Sequence, residues 1–379
     1  MLGVSSSITY ESNIFNKYYV NMYKYIVIVL TSLFVIACRD VTPAVKEFVI
    51  EEFNYCNWEN LLQVENAIQL EENDSCLMSY AEKCMITKDN IIFMDYKTKN
   101  IYSFSRNGKF TGHIGHVGRA QTEYLGIRDI CINCDSSAII VLDERGLISY
   151  ELKSGKFLER NQFASPNYIE YEKIMQVNKS EYLCFTDTRD KNSIVLDSPK
   201  EIKGLRESKR FHYVLNPFYK YQGASRVISD YGDFYIDSFE GGKLQTLYKI
   251  NLGNDALPDN ILPKTYKEFE IVDSSPRYFK CIASAYETTN WICLDLIGPN
   301  NEYYIAFLDK GGNKYAFGVN NQNLGLTMTG TDDESFYAII YPEFISQESV
   351  AKKILERYKI NQESVSPVLI KFKLNEKEL

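Results

Sequence analysis

The chain has 379 residues, a formal charge of −8 and a hydrophobic content of 45%, of which 14 percentage points are aromatic. This length and apolar content are enough to build a sizeable core. An acidic chain without a run of basic residues is a poor partner for a phosphate backbone, so the sequence predicts no nucleic-acid ligand.

The first segment with a clear pattern is an apolar stretch at residues 25–36, directly after Lys24. It is too short to cross a bilayer but has the length of a signal-peptide core. It runs into the tetrapeptide VIAC, which ends at Cys38 and resembles a lipobox, where a signal peptidase cuts before the cysteine and a lipid is attached to it. We therefore predict that Cys38 is lipidated and anchors the mature protein to a membrane of the cell envelope.

The residues before this stretch fit no targeting pattern, and Met22 is a better start for a signal peptide than Met1. We expect residues 1–37 to comprise a mis-called start followed by a lipoprotein signal peptide. Residues 38–379 would then form the mature chain, lipid-anchored in the outer membrane. The sequence leaves open whether this chain faces the periplasm or the cell surface.

A short pattern then recurs six times, with an apolar stretch, a polar turn and a stronger apolar stretch that usually closes on aspartate. The closing residues lie 44 to 58 positions apart, the length of four short strands and their turns. They are Asp95, Asp143, Asp187, Asp237, Asp295 and Tyr341. Because one such sheet cannot bury both faces alone, the units must stack around an axis. The sequence therefore predicts an all-β fold, a six-bladed β-propeller of four-stranded antiparallel blades.

A ring of blades also needs a device that closes it, because an open ring would expose unpaired strand edges. The C-terminal run VLIKFKL, residues 368–374, is one strand beyond the sixth hairpin. Residues 45–53 or 64–70 have the matching strand pattern, so we expect N- and C-terminal strands to share a blade. Residues 349–360 have helical spacing and predict a short surface helix, with a partner-binding helix as the alternative.

Cysteine and histidine suggest no reactive site. Five cysteines lie in predicted strands among apolar residues and are predicted to be buried thiols: Cys84, Cys131, Cys184, Cys281 and Cys293. Cys131 and Cys134 spell CxxC, but residues three apart on a strand point to opposite faces and no second pair completes a zinc site. The run HIGH at residues 113–116 lacks the βαβ context of nucleotidyl-transferring enzymes. We predict no metal, no cofactor and no catalytic residue.

Basic residues recur at the predicted starts of the first strands of the blades. They are Lys83, Arg128, Lys173, Arg226 and Lys280. Because first strands begin at the face where second strands end, this basic ring should face the ring of aspartates. In one interpretation each basic residue pairs with an aspartate, and the aspartates cap their turns. In the other, some basic residues remain free at the channel mouth and hold an anionic ligand such as an acidic carbohydrate.

The segment at residues 109–129, KFTGHIGHVGRAQTEYLGIRD, resembles the six-bladed β-propeller lipoproteins of the Bacteroidetes, which are relatives of NHL-repeat propellers. The lipobox and the closing SPVLIKFKL agree with this resemblance. Members usually carry Gly-Pro-Gly before Glu-Tyr, whereas this chain has AQT at residues 120–122. The resemblance implies a cell-envelope lipoprotein rather than an enzyme class. Within this segment Arg119, Glu123 and Tyr124 are candidate ligand-binding residues, and Tyr124 is expected to be exposed in the connector before a first strand, where its ring could stack on a sugar.

Two functional hypotheses follow. The first is a lipid-anchored, non-catalytic propeller that binds a ligand, such as an anionic glycan, or another envelope protein. The alternative is a metal-dependent propeller hydrolase or lyase that acts at the channel mouth. Its metal ligands or base would be carboxylates such as Glu123, Asp129 and Glu172.

Overall fold

The structure is a computed structural model and describes residues 44–51, 57–78, 81–165, 171–187, 191–208, 211, 214–312, 314–320, 323–361 and 364–379. The chain divides into two units, residues 1–44 and 45–379. The predicted signal peptide and Cys38 lie outside the described residues. All the elements described belong to the second unit.

Strands of this unit form six sheets in a ring. The chain begins with β1 (Lys46–Val49), helix α1 (Trp58–Leu61) and β2 (Leu62–Gln69). Blade 1 contains β3 (Lys83–Ile86), β4 (Asn90–Asp95), β5 (Asn100–Ser105) and β6 (Phe110–His113). Blade 2 contains β7 (Asp129–Ile132), β8 (Ala138–Asp143), β9 (Gly146–Glu151) and β10 (Phe157–Asn161). Blade 3 contains β11 (Tyr171–Asn178), β12 (Glu181–Thr186), β13 (Asn192–Asp197) and β14 (Ile202–Glu207).

The second half of the ring follows the same plan. Blade 4 contains β15 (Phe218–Tyr221), β16 (Ala224–Ile228), β17 (Tyr235–Glu240) and β18 (Lys243–Asn251), and helix α2 (Tyr266–Asp273) follows it. Blade 5 contains β19 (Cys281–Glu287), β20 (Trp291–Ile297), β21 (Tyr303–Asp309) and β22 (Tyr315–Val319). Blade 6 contains β23 (Thr327–Thr331), β24 (Phe336–Ile340) and, after helix α3 (Val350–Arg357), β25 (Val368–Leu374). The predicted six-bladed propeller is confirmed.

Blade 6 closes the ring with strands from both ends of the chain. Strand β2 is its fourth, outermost strand and pairs antiparallel with β25, with Leu62 opposite Leu374 and Gln69 opposite Val368. This confirms the expected closure and selects the second of the two N-terminal candidates. The first candidate, β1, instead adds a fifth strand to blade 4, parallel to β18.

One strand assignment from the sequence was wrong. The fourth copy of the repeat, RVISDYGDFYID ending at Asp237, predicts the first and second strands of blade 4, but it forms the second and third. A first strand, β15, precedes it through a tight turn in which Gln222 and Gly223 both have positive φ, 47° and 78°. The sequence shows this turn as Gln-Gly between two apolar runs. Consequently Arg226 lies on a second strand and Asp237 on a third.

Facing sides of neighbouring blades form the core. Between blades 5 and 6, for example, the Phe307 ring lies 5.3 Å from that of Phe336 and 6.2 Å from that of Phe372, and all three are buried. Burying a side chain of this kind contributes roughly 1.5–3 kcal/mol. Period-two alternation in each strand supplies such residues to both sides of a blade, which explains why the apolar runs are nearly continuous.

The remaining predictions about local structure concern one helix and five buried cysteines. The helix expected at residues 349–360 is α3, which begins after the N-cap Ser349 and buries four apolar side chains against blades 5 and 6. In the described part of the chain seven cysteines are free thiols. Four of the five predicted buried thiols are buried, whereas Cys84 is partly exposed and Cys134 is exposed.

Candidate functional site

The first strands of the six blades surround a central cavity of about 770 Å³. Each first strand is the inner edge of its sheet, and all six contribute to the cavity wall. The charged side chains in this wall are Glu82, Lys83, Lys173, Lys220 and Asp295. We call the face at which first strands begin the connector face, because the links between blades cross it.

Lys83 begins the first strand of blade 1 and is engaged by blade 2. Its Nζ lies 2.8 Å from Asp129 Oδ1 and donates to the carbonyl of Ile130 at 2.7 Å. The other oxygen of the fully buried Asp129 accepts from the backbone N–H of Ile174, at 2.9 Å. This arrangement connects three consecutive blades and matches the first of the two interpretations, in which basic residues pair with aspartates.

Lys173 lies in the cavity wall on blade 3 and is not engaged in this way. Its ammonium makes no hydrogen bond or ion pair with another residue of the described part of the chain. Glu82 in the same wall interacts with it electrostatically but forms no ion pair with it. Burial raises the pKa of Glu82, and the Lys173 ammonium partly offsets that rise. Lys173 is therefore a cation in the cavity wall that other side chains leave accessible.

Two further members of the predicted basic ring, Arg128 and Lys280, lie just before a first strand and donate hydrogen bonds to neighbouring segments. Arg128 Nη1 donates to the carbonyl of Tyr171 at 2.9 Å. Lys280 is fully buried, and its Nζ donates to the Asp273 carbonyl and to the side-chain oxygen of Asn301. Burial lowers the pKa of Lys280. Neither residue belongs to the cavity wall.

Arg226 is the correction that follows from the shifted strand of blade 4. Its buried guanidinium lies between blades 4 and 5, with Nε 3.3 Å from Glu287 Oε2. Three other groups converge on this carboxylate: Lys310 Nζ at 2.8 Å, and the hydroxyls of Tyr248 at 2.8 Å and Tyr219 at 3.4 Å. A buried carboxylate with four partners is part of the interblade structure. Arg226 is not at the channel mouth.

The candidate loop residues Arg119, Glu123 and Tyr124 lie outside the cavity wall, and the expectation that Tyr124 is exposed is wrong. Tyr124 is fully buried with its ring edge-on to Tyr150, and burial raises its pKa. Glu123 Oε2 accepts from the backbone N–H of Ala120 at 2.9 Å, which closes the loop on itself. Arg119 is exposed. A ligand-binding role for these three residues stays a prediction.

The carboxylates named for a metal-dependent enzyme do not converge. Asp129 is bound by Lys83 and a backbone N–H, Glu123 by its own loop, and Glu172 is exposed. Among the described residues, no group of three or more His, Cys, Asp or Glu side chains is arranged to hold a metal ion.

Within the same residues, no helix has both the length and the apolar character needed to cross a membrane.

Asp295 is the feature of the cavity that the sequence did not single out as a site. The Ser284 hydroxyl donates to its Oδ2 at 2.5 Å, while Oδ1 is buried and has no hydrogen-bond partner in the described structure. Burial raises the pKa of Asp295 to about 7, against a smaller opposing effect of Ser284. A signal was present: residues 281–297 contain no lysine or arginine that could pair with this aspartate.

Aromatic side chains border the cavity at the connector face. Tyr303 and Phe344 belong to the cavity wall and are 41% and 68% exposed. Exposed rings of this size are available for stacking against a ligand. Neither was predicted, because both lie in segments that sequence patterns assign only to a strand start and a loop.

The fold resembles solved structures from Bacteroides. A presumed exported protein of Bacteroides fragilis superposes with a TM-score of 0.70 at 17% identity, covering 87% of this chain and 100% of that one. A member of the DUF4221 family from Bacteroides vulgatus superposes with a TM-score of 0.53 at 11% identity, covering 84% and 99%. No functionally curated protein matches the sequence.

These likenesses identify the fold, and the sequence itself identifies the family. The family described as "Domain of unknown function (DUF4934)" matches residues 57–378, which include β2 and all six blades. The match therefore runs from the N-terminal closing strand to the end of the C-terminal one. The chain is a member of the DUF4934 family.

Proposed function

We propose that this protein is an exported, lipid-anchored propeller of the cell envelope that binds a small anionic ligand in its central cavity without transforming it. Three features support export and anchoring: the lipobox at Cys38, the resemblance to Bacteroidetes lipoproteins, and the name of the B. fragilis protein as a presumed exported protein. The family carries no activity in its description. The ligand class therefore has to be argued from the cavity.

The observation that carries the proposal is the unengaged ammonium of Lys173 in the cavity wall. A cation in a concave, partly apolar site attracts an anion more strongly than one on an open surface, because less water screens it. Lys220 lies in the same wall with its Nζ 3.8 Å from Cys134 Sγ, which is a weak partner. Lys83 is neutralised by Asp129, but Lys173 and Lys220 add two cations to the cavity wall that have no ion-pair partner among the described residues.

The aromatic border favours a ring-shaped anion. Tyr303 and Phe344 offer exposed faces next to the cavity, and sugar rings stack on such faces through their C–H groups. A carboxylate on the sugar could reach the cavity cations while the ring remains at the border. An acidic carbohydrate fits this combination better than a phosphodiester chain, because the surrounding protein is acidic, with a formal charge of −8.

The test is calorimetric titration of the purified mature chain with galacturonate and short oligogalacturonates at low and high salt. We expect an affinity that falls as salt rises, because screening acts within about 10 Å at 0.1 M ionic strength. Lys173→Met keeps the side-chain length without the charge and should weaken binding by about tenfold, equivalent to roughly 1.4 kcal/mol. Lys200→Met, at an exposed position in the β13–β14 turn, is the matched control.

Two results would contradict the proposal. One is equal binding of galacturonate and neutral galactose at every salt concentration, which would mean that no cation recognises the ligand. The other is an equal loss in Lys173→Met and Lys200→Met, which would place the recognition outside the cavity.

A further inference from the structure

Asp295 occupies an unusual position for a carboxylate. It lies on β20, on the side of blade 5 that packs against blade 6, and Cys293 two residues earlier belongs to the apolar cluster between these blades. It is also part of the cavity wall and keeps a partly exposed surface there. The residue therefore stands where an apolar interface opens into the cavity.

No charge in the described structure compensates Asp295. Its hydrogen-bond partner is the neutral Ser284 hydroxyl, and none of its oxygens lies within ion-pair distance of a described Lys, Arg or His. The titratable groups that interact with Asp295 are Tyr286 and Cys293 on blade 5, and Cys84 on blade 1 interacts in turn with Tyr286. The Tyr286 hydroxyl donates to the Met328 carbonyl on blade 6 at 2.8 Å, so it does not serve Asp295.

These neighbours are uncharged at neutral pH. Burial raises the pKa of Cys84 to about 12 and the pKa values of Cys293 and Tyr286 well above their ordinary range. Buried polar atoms without a partner are rare in native proteins, and each one calls for a ligand, a water or a proton. The cavity next to Asp295 is large enough to hold a ligand that could provide this partner.

We propose that Asp295 and Ser284 form a subsite that binds a protonated amino group of the ligand in the central cavity. A primary ammonium has three N–H donors, which match the unsatisfied carboxylate oxygen and the Ser284 oxygen. Because Oδ1 is buried and Oδ2 accepts from Ser284, ligand binding requires a rotation about χ2, which is a broad torsion in aspartate. An ammonium also supplies the positive charge that no described side chain provides.

This inference rests on the proposed function and defines the ligand class further. Lys173 on blade 3 takes the anionic group, and Asp295 on blade 5 takes the cationic one. The ligand would therefore be zwitterionic, with an amino group and a carboxylate on one compact framework. An amino sugar acid has this chemistry, and its ring suits the aromatic border formed by Tyr303 and Phe344.

The subsite has a characteristic pH dependence. In the empty cavity Asp295 is largely protonated below its pKa of about 7 and ionised above it. A bound ammonium favours the ionised form, so its affinity should rise as pH increases through this range. Binding near pH 6 should release the proton of Asp295. At pH 8 the amino group of such a ligand is itself partly neutral and must take up a proton to bind, so the affinity should be highest near pH 7.

The test uses three sugars that differ at one position: galacturonate, 2-amino-2-deoxygalacturonate and the N-acetyl derivative of the latter. With the wild-type mature chain at pH 7, where Asp295 is about half ionised and the amino group is mostly protonated, we expect the amino sugar to bind about tenfold more tightly than the other two. This advantage should shrink at pH 6, where titrations in buffers of different ionisation enthalpy should detect the released proton. Asp295→Asn should abolish the advantage and leave galacturonate binding unchanged.

Asp89→Asn, an exposed carboxylate in the β3–β4 turn, is the matched control and should keep the advantage. Ser284→Ala provides a second variant and should reduce the advantage partly. If galacturonate binds with the expected salt dependence but the amino sugar gains nothing, or keeps its gain in Asp295→Asn, the subsite is refuted and the proposed function stands. If none of the three sugars binds the wild type, both are refuted.

Discussion

The repeated aspartate of blade 2, Asp143, has hydrogen-bond or ion-pair partners on both carboxylate oxygens, whereas that of blade 5, Asp295, has a partner on one oxygen among the described residues. Asp143 accepts from the backbone N–H groups of Leu125 and Gly126 at 2.9 and 3.3 Å. Its other oxygen lies 2.9 Å from Arg160 Nη1 and 3.3 Å from Arg145 Nε. Burial alone would raise the pKa of Asp143, but Arg160 and these N–H groups bring it below its ordinary value.

Asp295 closes the same sequence pattern, and its one hydrogen-bond partner among the described residues is the neutral Ser284. Burial raises the pKa of Asp295 to about 7. The difference comes from residues outside the repeated pattern, since Arg145 lies in the turn after β8 and Arg160 on β10. Burial has the same sign in both blades, so the partners decide whether the carboxylate is an anion or an acid. Asp143 of blade 2 is therefore a structural anion, whereas Asp295 of blade 5 has one carboxylate oxygen without a hydrogen-bond partner in the described structure.

The largest expected effect is from Asp143→Asn. It removes the anion between two guanidinium groups, and breaking a buried ion pair costs about 3 kcal/mol or more. Urea denaturation at pH 7 should show this loss, and Asp135→Asn, an exposed turn residue in the same blade, should not. Equal midpoints for the two variants would mean that Asp143 is not a structural anion.

A smaller effect of opposite sign is expected from Asp295→Asn. The folded state holds the pKa of Asp295 near 7, above its value of about 4 in an unfolded chain. Because folding then takes up a proton between pH 4 and pH 7, the wild type loses stability over this range and no more above it. At about 1.4 kcal/mol for each unit of pKa shift the full loss is about 4 kcal/mol, of which about 3 kcal/mol falls between pH 4.5 and pH 8.

The measurement is the difference in free energy of unfolding between Asp295→Asn and the wild type at pH 4.5 and pH 8. We expect the variant to gain stability relative to the wild type as pH rises. Asp89→Asn should keep a constant difference. A constant difference for Asp295→Asn as well would show that this carboxyl is already ionised at low pH.

The smallest effect is expected from Ser284→Ala. Removing a hydrogen bond to a carboxylate costs about 1–2 kcal/mol when the group is ionised and less when it is protonated. The variant should therefore be destabilised more at pH 8 than at pH 5, and the pKa of Asp295 should rise further. Equal losses at both pH values would indicate a packing effect of the lost hydroxyl.

Most of the fold could be predicted from the sequence because hairpins are local. Alternating apolar residues, polar turns and regular spacing occur within single blades, and the closing strand at residues 368–374 is visible as one strand too many. Blade 4 was misassigned because the alternation is the same whether a hairpin joins strands one and two or strands two and three. Only the turn at Gln222 and Gly223 distinguishes the two assignments.

The candidate site was predictable only in part. Lys83 and Lys173 lie in the cavity wall, as first-strand positions should. Which cation remains accessible depends on partners from other blades, such as Asp129 for Lys83, and these pairings are not encoded by spacing. Asp295 was visible as a repeated residue, but the packing of blade 5 against blade 6 decides that its Oδ1 has no hydrogen-bond partner among the described residues.

The shared blade also sets an order of events during biosynthesis. Strand β2 is made near the beginning of the chain, yet its partner β25 follows roughly 300 residues later. At about 5–20 residues per second, β2 waits on the order of 15–60 s without its native neighbour. The face of blade 1 that packs against blade 6 stays uncovered for most of this interval, because the strands of blade 6 that cover it are made last. A nascent chain of this protein should therefore depend on holding factors until β25 has left the ribosome.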